Sequence, residues 1–557
     1  MTVKKIWWAA FAKTAALMLI AVTGLTLAAD NNIVTTLQIT YADNQSSFTL
    51  AKTGWVRIEG DLADEVVFDA PGNNDVSVKS RSGSATAFLP AATYSVKGKV
   101  TSARRIGANM YCSMDGKFNT DVPAVIPDNA KMSGRAGMFL YNWNYLDKNI
   151  LDPFTVLLLN NVHAPEIKNW RAQGRKVIRR TTILPQADKT LELWNKVASE
   201  PEIDGIIPDE FVIPAGRKSA ADASLGYSNP GVGFAEENLQ NIAVWGKAHP
   251  AMRFWAWLGI PWNALNSDVE PLIKALRING GYIAWESYAF GRNWERELKT
   301  RYLNRAAGFK ELTGGMENFV VCPGTFEYID NNWELDFKVY LDMQLHAVAT
   351  HPDFKGTAGI GMWIAYYTEP EILRWYSALV KHYAVDGERE MLSKKYGFEL
   401  KPAFVKSPNW ENLTPWQTAG DAKLVPVAES QLKISPYMPK TTANLLQLTS
   451  DGRQTTSASQ QINGLTPQKV YTLEVMAVDP QNDGSEVVYP FTADVKNAEV
   501  LDRSVRQLTN FSYKKKPVYN VHKIRFKAAD SSAQIVLQLT GKAKLLVDAV
   551  RITPYFE

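Results

Sequence analysis

Apolar residues along this chain follow two different rhythms, and the change between them divides it. From residue 30 to about 132, short alternating stretches such as Thr36-Leu-Gln-Ile-Thr40, Gly54-Trp-Val-Arg-Ile58 and Ala92-Thr-Tyr-Ser-Val-Lys97 are separated by turn clusters like Pro71-Gly-Asn-Asn74. Period-two alternation broken by Gly, Pro and Asn predicts half-buried strands joined by tight turns, hence a β-sandwich.

Between 133 and 405 the pattern changes. Eight apolar, β-rich runs recur: Met138–Tyr141, Thr155–Leu159, Lys176–Arg179, Gly205–Ile207, Arg253–Trp257, Tyr282–Trp285, Phe319–Cys322 and Ala358–Trp363. Amphipathic stretches lie between them, among them Pro165–Ala172, Asp336–Ala349 and Glu369–Ala378, the last with acids and proline in its first turn, as helix N-termini prefer. Strands alternating with helices predict a parallel sheet, and eight such units in this length predict a (β/α)8 TIM barrel. An open doubly wound sheet is the alternative, without a Gly-rich phosphate or dinucleotide loop to favour it. The first crossover, Asn144 to Pro153, is short for a full helix. From 406 to 557 alternation returns, in Ala443–Thr449, Val470–Val475, Gln534–Leu539 and Lys544–Ile552, and predicts a second β-sandwich.

Residues 1–29 read as a signal peptide. Lys4 and Lys5 precede an apolar run from Ala15 to Leu27, and Ala28-Ala29 then gives way to polar Asp30-Asn31-Asn32. The run is shorter than the roughly 20 residues of a membrane span. The mature protein is expected to be secreted or periplasmic, with no stable membrane span.

Composition then narrows the chemistry. With Lys4, Lys5 and Lys13 set aside from its 61 basic residues, the 557-residue chain is level within one charge against its 57 acidic ones. No basic run remains, so nucleic acid is not an expected partner. The two cysteines, Cys112 and Cys322, are expected in different domains and exclude a disulfide framework or a Cys-rich zinc site. The six histidines form no His-x-His or His-Glu-x-x-His pair. No cofactor is expected, and a carboxylate-bound structural calcium stays open. The chain is rich in aromatics, 17 Trp, 22 Tyr and 22 Phe, which suit sugar-ring stacking and large cores equally.

A TIM barrel carries its site at the C-terminal ends of its strands. That rule collects Tyr141 and Trp143 after the first run, Asn161 and His163 after the second, and Arg180 at the third. Asp209 and Glu210 follow at the fourth, Trp257 and Trp262 at the fifth, Glu286 and Tyr288 at the sixth. Glu327 lies in the loop after the seventh, and Trp363 and Tyr366 end the eighth. His346 and His351 fall on or after a helix outside the barrel and read as structural. Carboxylates and aromatics on one rim fit glycoside hydrolysis, which needs two acids beside a bound sugar. Asp209 could equally cap the following helix or pair with Arg180.

The arrangement resembles, at clan level, secreted TIM-barrel glycoside hydrolases with accessory β-domains, and Leu545–Ile552 resembles the closing strand of a carbohydrate-binding-module jelly roll. Asp204-Gly-Ile-Ile-Pro-Asp209-Glu210 is similar to the Asp-Gly-x-Asp-x-Asp-x-Glu strand of chitinase-like enzymes, with two departures. Ile207 replaces the second Asp, and Phe211 stands where the catalytic Glu belongs, with Glu210 one position early. A one-residue shift on a strand reverses the facing side, so that mechanism does not transfer. The retaining clan with acids at strands 4 and 7 would use Asp209-Glu210 and Glu327. A pattern with acids at strands 4 and 6 would use Glu210 or Asp209 with Glu286. The resemblance implies hydrolysis of a poly- or oligosaccharide. The alternative is a catalytically silent barrel that binds glycan.

Overall fold

The computed structural model describes residues 30–113, 125–128, 138–160, 165–184, 186–209, 211, 236–259, 270–291, 293–326, 331–430, 444–480, 490–508 and 519–557. At its centre is a parallel eight-stranded sheet in the order β1 (Met110–Cys112), β2 (Val156–Leu159), β3 (Lys176–Thr181), β4 (Gly205–Pro208), β5 (Arg253–Gly259), β6 (Tyr282–Glu286), β7 (Phe319–Cys322) and β8 (Gly359–Ile360). A parallel bridge between Met110 and Gly361 brings the last strand to the first, so the barrel is nearly closed. β2, β4 and β7 are buried at every position, as parallel strands covered on both faces must be. This is why their sequences are unbroken apolar runs. At the seam, a Cβ on Gly359 would lie 2.6 Å from the carbonyl oxygen of Ala108. Only glycine lets the two backbones close there.

Helices follow the strands: α1 (Trp143–Asn149), α2 (Glu166–Ala172), α3 (Ala187–Ala198), α4 (Glu236–Ala248), α5 (Glu270–Ile278), α6 (Asn304–Thr313), α7 (Phe337–Thr350) and α8 (Pro370–Ala384). Asn142 caps α1 by accepting the Asn144 amide at 2.7 Å, and Asp336 caps α7 through the Lys338 amide at 2.9 Å. α6 is entered through one turn, Trp294–Glu297, and a π-helical stretch, Leu298–Leu303. Among the described residues no helix is long and apolar enough to cross a membrane.

The first barrel strand corrects the sequence reading. Met138–Tyr141, expected in that place, pairs antiparallel with Val125–Asp128 in a two-stranded ribbon. The place belongs to Met110–Cys112, paired parallel with Val156–Leu158. Three residues at the end of an alternating region are too few for a periodicity to announce a new sheet. The ribbon lies in the chain between β1 and α1, which explains why the expected first crossover looked too short. Cys112 on β1 and Cys322 on β7 therefore share the barrel, against the expectation that they lie apart.

Antiparallel sheets precede and follow the barrel. Between residues 35 and 106, a four-stranded, a three-stranded and a two-stranded sheet enclose a core that includes Phe48, Val56, Phe68 and Tyr94. Beyond residue 416, a four-stranded and a six-stranded sheet share a core that includes Leu446, Leu473, Ile535 and Val547. The other face of the six-stranded sheet buries Met476, Val521 and Leu546 with Trp333, a residue of the segment between β7 and α7. Val470–Val478 and Ala543–Pro554 are consequently buried almost throughout, without the alternation of a one-sided sheet.

Candidate active site

Side-chain parity decides which residues enter the barrel. On β5, Trp255 packs on Tyr282 of β6 at 4.7 Å between ring centroids. Two residues on, Trp257 Nε1 donates to Glu286 Oε2 at 2.9 Å. Alternate residues share a face, so Tyr282, Ala284 and Glu286 point one way and Trp285 the other. Trp285 is fully buried against Tyr302, Phe309 and Phe354 on the helix side. Glu286 is half-buried. Across the pore, Trp363 presents its ring 4.7 Å from that of Trp257, with the planes inclined at 47°. The Thr325 amide holds the Trp363 carbonyl at 2.8 Å.

The second carboxylate at the rim is Asp209, in an ion pair with Arg180 of β3. Arg179, its neighbour, turns outward to Glu200 at 3.1 Å. Two thiols, Cys112 of β1 and Cys322 of β7, are buried in the barrel. The Cys112 thiol is pushed well up, first by burial and then by Cys322 and Asp209, with Arg180 acting the other way. Cys322 is pushed up by burial and then by Glu286. Arg305, on α6 and almost wholly buried, is lowered by burial and drawn back up by Glu286. In the sequence nothing points to Arg305, and the two cysteines bear only on disulfides and zinc.

The chitinase-like segment dissolves into separate roles. Asp204 sits at the N-terminal end of β4 and holds Arg171 at 3.1 Å, Lys176 at 3.0 Å and the Val177 amide at 3.0 Å. That is the stability face of a barrel, not the chemical one. Phe211, fully buried, packs its ring on Phe254, which itself meets Trp194 of α3 and Trp245 of α4. Phe211 thus belongs to the layer between strands and helices.

The other expected contacts lie on several elements. Tyr141 lies on the ribbon, buried, with its hydroxyl donating to the Thr368 carbonyl. Trp143 stands in the first turn of α1, edge-on to Trp170 of α2, and not at a strand end. Tyr288 is half-buried, 5.3 Å from Phe326 between centroids, and Tyr366 lies 4.1 Å from Tyr367. Glu210, Glu327, Asn161, His163 and Trp262 lie outside the described residues.

The loop after β6 is firmly anchored. Tyr302 of the π-helical stretch donates its hydroxyl to the Ser287 carbonyl at 2.8 Å, and Arg301 donates to the Tyr288 carbonyl. Buried Glu297 accepts the Phe290 and Gly291 amides, each at 2.8 Å. π-Helical turns are frequent beside functional sites, and this one grips the two residues that follow Glu286.

No protein-family model matches the sequence, and no curated protein does. Solved structures give low-similarity matches. The carbohydrate-binding module TmCBM61 in complex with β-1,4-galactotriose is 18% identical, covering 28% of this chain and 99% of its own, at a TM-score of 0.21. Active domain 2 of the Pyrococcus furiosus chitinase, complexed with chito-oligosaccharides, is 9% identical, covering 53% and 97%, at 0.32. The Bacteroides uniformis β-glucuronidase is 8% identical, covering 94% and 80%, at 0.28. Likeness at this level carries no functional argument, and the reading of the site rests on its own residues.

Proposed function

We propose that the barrel is a glycoside hydrolase acting on an extracellular poly- or oligosaccharide. The observation that supports this best is the pairing of Glu286 with Trp257 and Trp363: a half-buried carboxylate oriented by an indole N–H, beside two large aromatic faces that suit a sugar ring. Glycoside hydrolysis needs one group to protonate the departing oxygen and a second carboxylate to attack the anomeric carbon or to activate water. Glu286 is one of the two. The other comes from the end of β4, Asp209 or Glu210. Asp209 is engaged by the Arg180 guanidinium, which leaves Glu286 or Glu210 to approach the departing oxygen, with Asp209 placed to stabilise the oxocarbenium-like transition state.

A second reading, glycan capture without turnover, is favoured by one observation. The residue aligned with the chitinase acid is Phe211, and its ring lies in the helix layer. Reducing-end release from a broad glycan panel, with Glu286→Gln and Glu210→Gln beside wild type, separates the two. Hydrolysis by wild type, abolished in both folded variants, is the expected result. Binding without release in all three proteins would establish the second reading instead.

A further inference from the structure

The segment after β8 runs from Trp363 through Tyr366 to Glu369, which immediately precedes α8. It is held from three sides. The Tyr141 hydroxyl of the ribbon donates to the Thr368 carbonyl, and the Thr325 and Thr368 hydroxyls lie 2.6 Å apart. The third hold comes from far along the chain: Glu369 forms ion pairs with Arg506 and Lys523, both on the six-stranded sheet of the C-terminal sandwich. Side-chain exposures of 12%, 14% and 15% put all three charges out of bulk water. Lys523 also pairs with Glu474, which accepts Arg551 Nε at 2.6 Å, and Arg551 returns to the barrel side by donating to the Leu335 carbonyl at 2.7 Å. The Arg506 guanidinium lies 4.6 Å from the centre of the Phe139 ring on the ribbon.

Buried ion pairs of this kind gain little stability over apolar packing, because desolvation offsets most of the attraction, yet losing one partner strands the other. Their best-attested effect is to fix one geometry among several. Here burial acts to raise the Glu369 carboxyl, and Lys523 and Arg506 more than offset it and hold it below its ordinary value. Trp333 also packs against the same sheet, so the contact has an apolar part beside its charges.

We propose that the C-terminal sandwich is a working part of the barrel site: Arg506 and Lys523 fix Glu369 and so set the position of the segment carrying Trp363 and Tyr366. Glu369, Arg506 and Lys523 are positioning residues in this account. The placement stands without any assumption about chemistry, and only its effect on glycan rests on the proposed hydrolase.

The test uses the full chain with Arg506→Met, Lys523→Met and the conservative Lys523→Arg, plus Lys401→Met as a control at the exposed Lys401–Glu334 pair. Hydrogen exchange of residues 363–369 should quicken by about tenfold or more in the two Met variants at 506 and 523 and stay near wild type in Lys523→Arg and Lys401→Met. On a hydrolysed glycan, KM should rise in those two Met variants and stay near wild type in Lys523→Arg. Unchanged exchange at 363–369 in the folded Arg506→Met and Lys523→Met variants would overturn the proposal, and so would an equal quickening in Lys401→Met. Should wild type hydrolyse no glycan, the exchange measurements still decide the positioning claim, while the functional reading alone fails.

Discussion

Trp257 Nε1 donates to Glu286 Oε2 across the β5–β6 pair at 2.9 Å, and the same indole ring packs against Trp363. One side chain therefore orients the acid and builds the apolar wall beside it. Trp257→Phe keeps most of the wall and removes the donor. Turnover should fall on the order of 10²-fold, since small misplacements of a reacting group cost that much. The melting temperature should change little, and glycan affinity should hold within a few-fold. An equal loss of affinity and turnover would mean that Trp257 acts mainly as a platform.

Arg180 and Asp209 make a partly buried pair, and removing one partner leaves the other facing the pore alone. Arg180→Met should destabilise by about 1–2 kcal/mol, less than a fully buried pair would show because Arg180 keeps some solvent. Adding Asp209→Asn should recover most of that loss. Urea midpoints for the two single variants and the double variant measure the coupling, and simple additivity would show that the pair contributes nothing to the fold.

The closing seam of the barrel makes a sharper stability prediction. In Gly359→Ala the new methyl would meet backbone atoms of Ala108 at 2.6–2.7 Å, and backbone cannot swing aside as a side chain can. A loss of about 3 kcal/mol or more is expected, in the range reserved for strained or overpacked sites. A variant with wild-type stability in thermal unfolding would show that the barrel is open at β8.

His522, on the six-stranded sheet and edge-on to Phe491, is lowered by burial from 6.5 to about 4. The folded sandwich holds it neutral while the unfolded chain protonates below 6.5. Its contribution is therefore fully present above pH 6.5 and is lost as pH falls toward 4. The loss is on the order of 3 kcal/mol at most. Chemical denaturation across that window should show His522→Phe gaining on wild type as pH falls. A constant difference between the two would show that the imidazole is already solvated.

The barrel was legible in the sequence because its strands are covered on both faces and therefore read as solid apolar runs. Seven of them were placed correctly on that signal. Met110–Cys112 escaped it because three residues carry no period. At the rim, alternation alone sends Glu286 inward beside an outward Trp285, so the acid and its side of the strand could be read together. The partners could not. Asp204 and Asp209 look alike in the chain, and only the register of β4 puts the first among Arg171 and Lys176 at the barrel base and the second beside Arg180 at the rim. Glu369 reads as an ordinary first-turn acid. Its ion pairs reach Arg506 and Lys523, more than a hundred residues away, where no local pattern can point.

The most direct test of the central claim is to separate binding from turnover in Glu286→Gln, titrating a hydrolysed glycan by calorimetry and following reducing-end release on the same material. The account predicts affinity within a few-fold of wild type and release lowered by about 10³-fold, as expected for loss of an acid–base group. Release at the wild-type rate would contradict it and leave the Trp257–Glu286 pair as a purely structural contact.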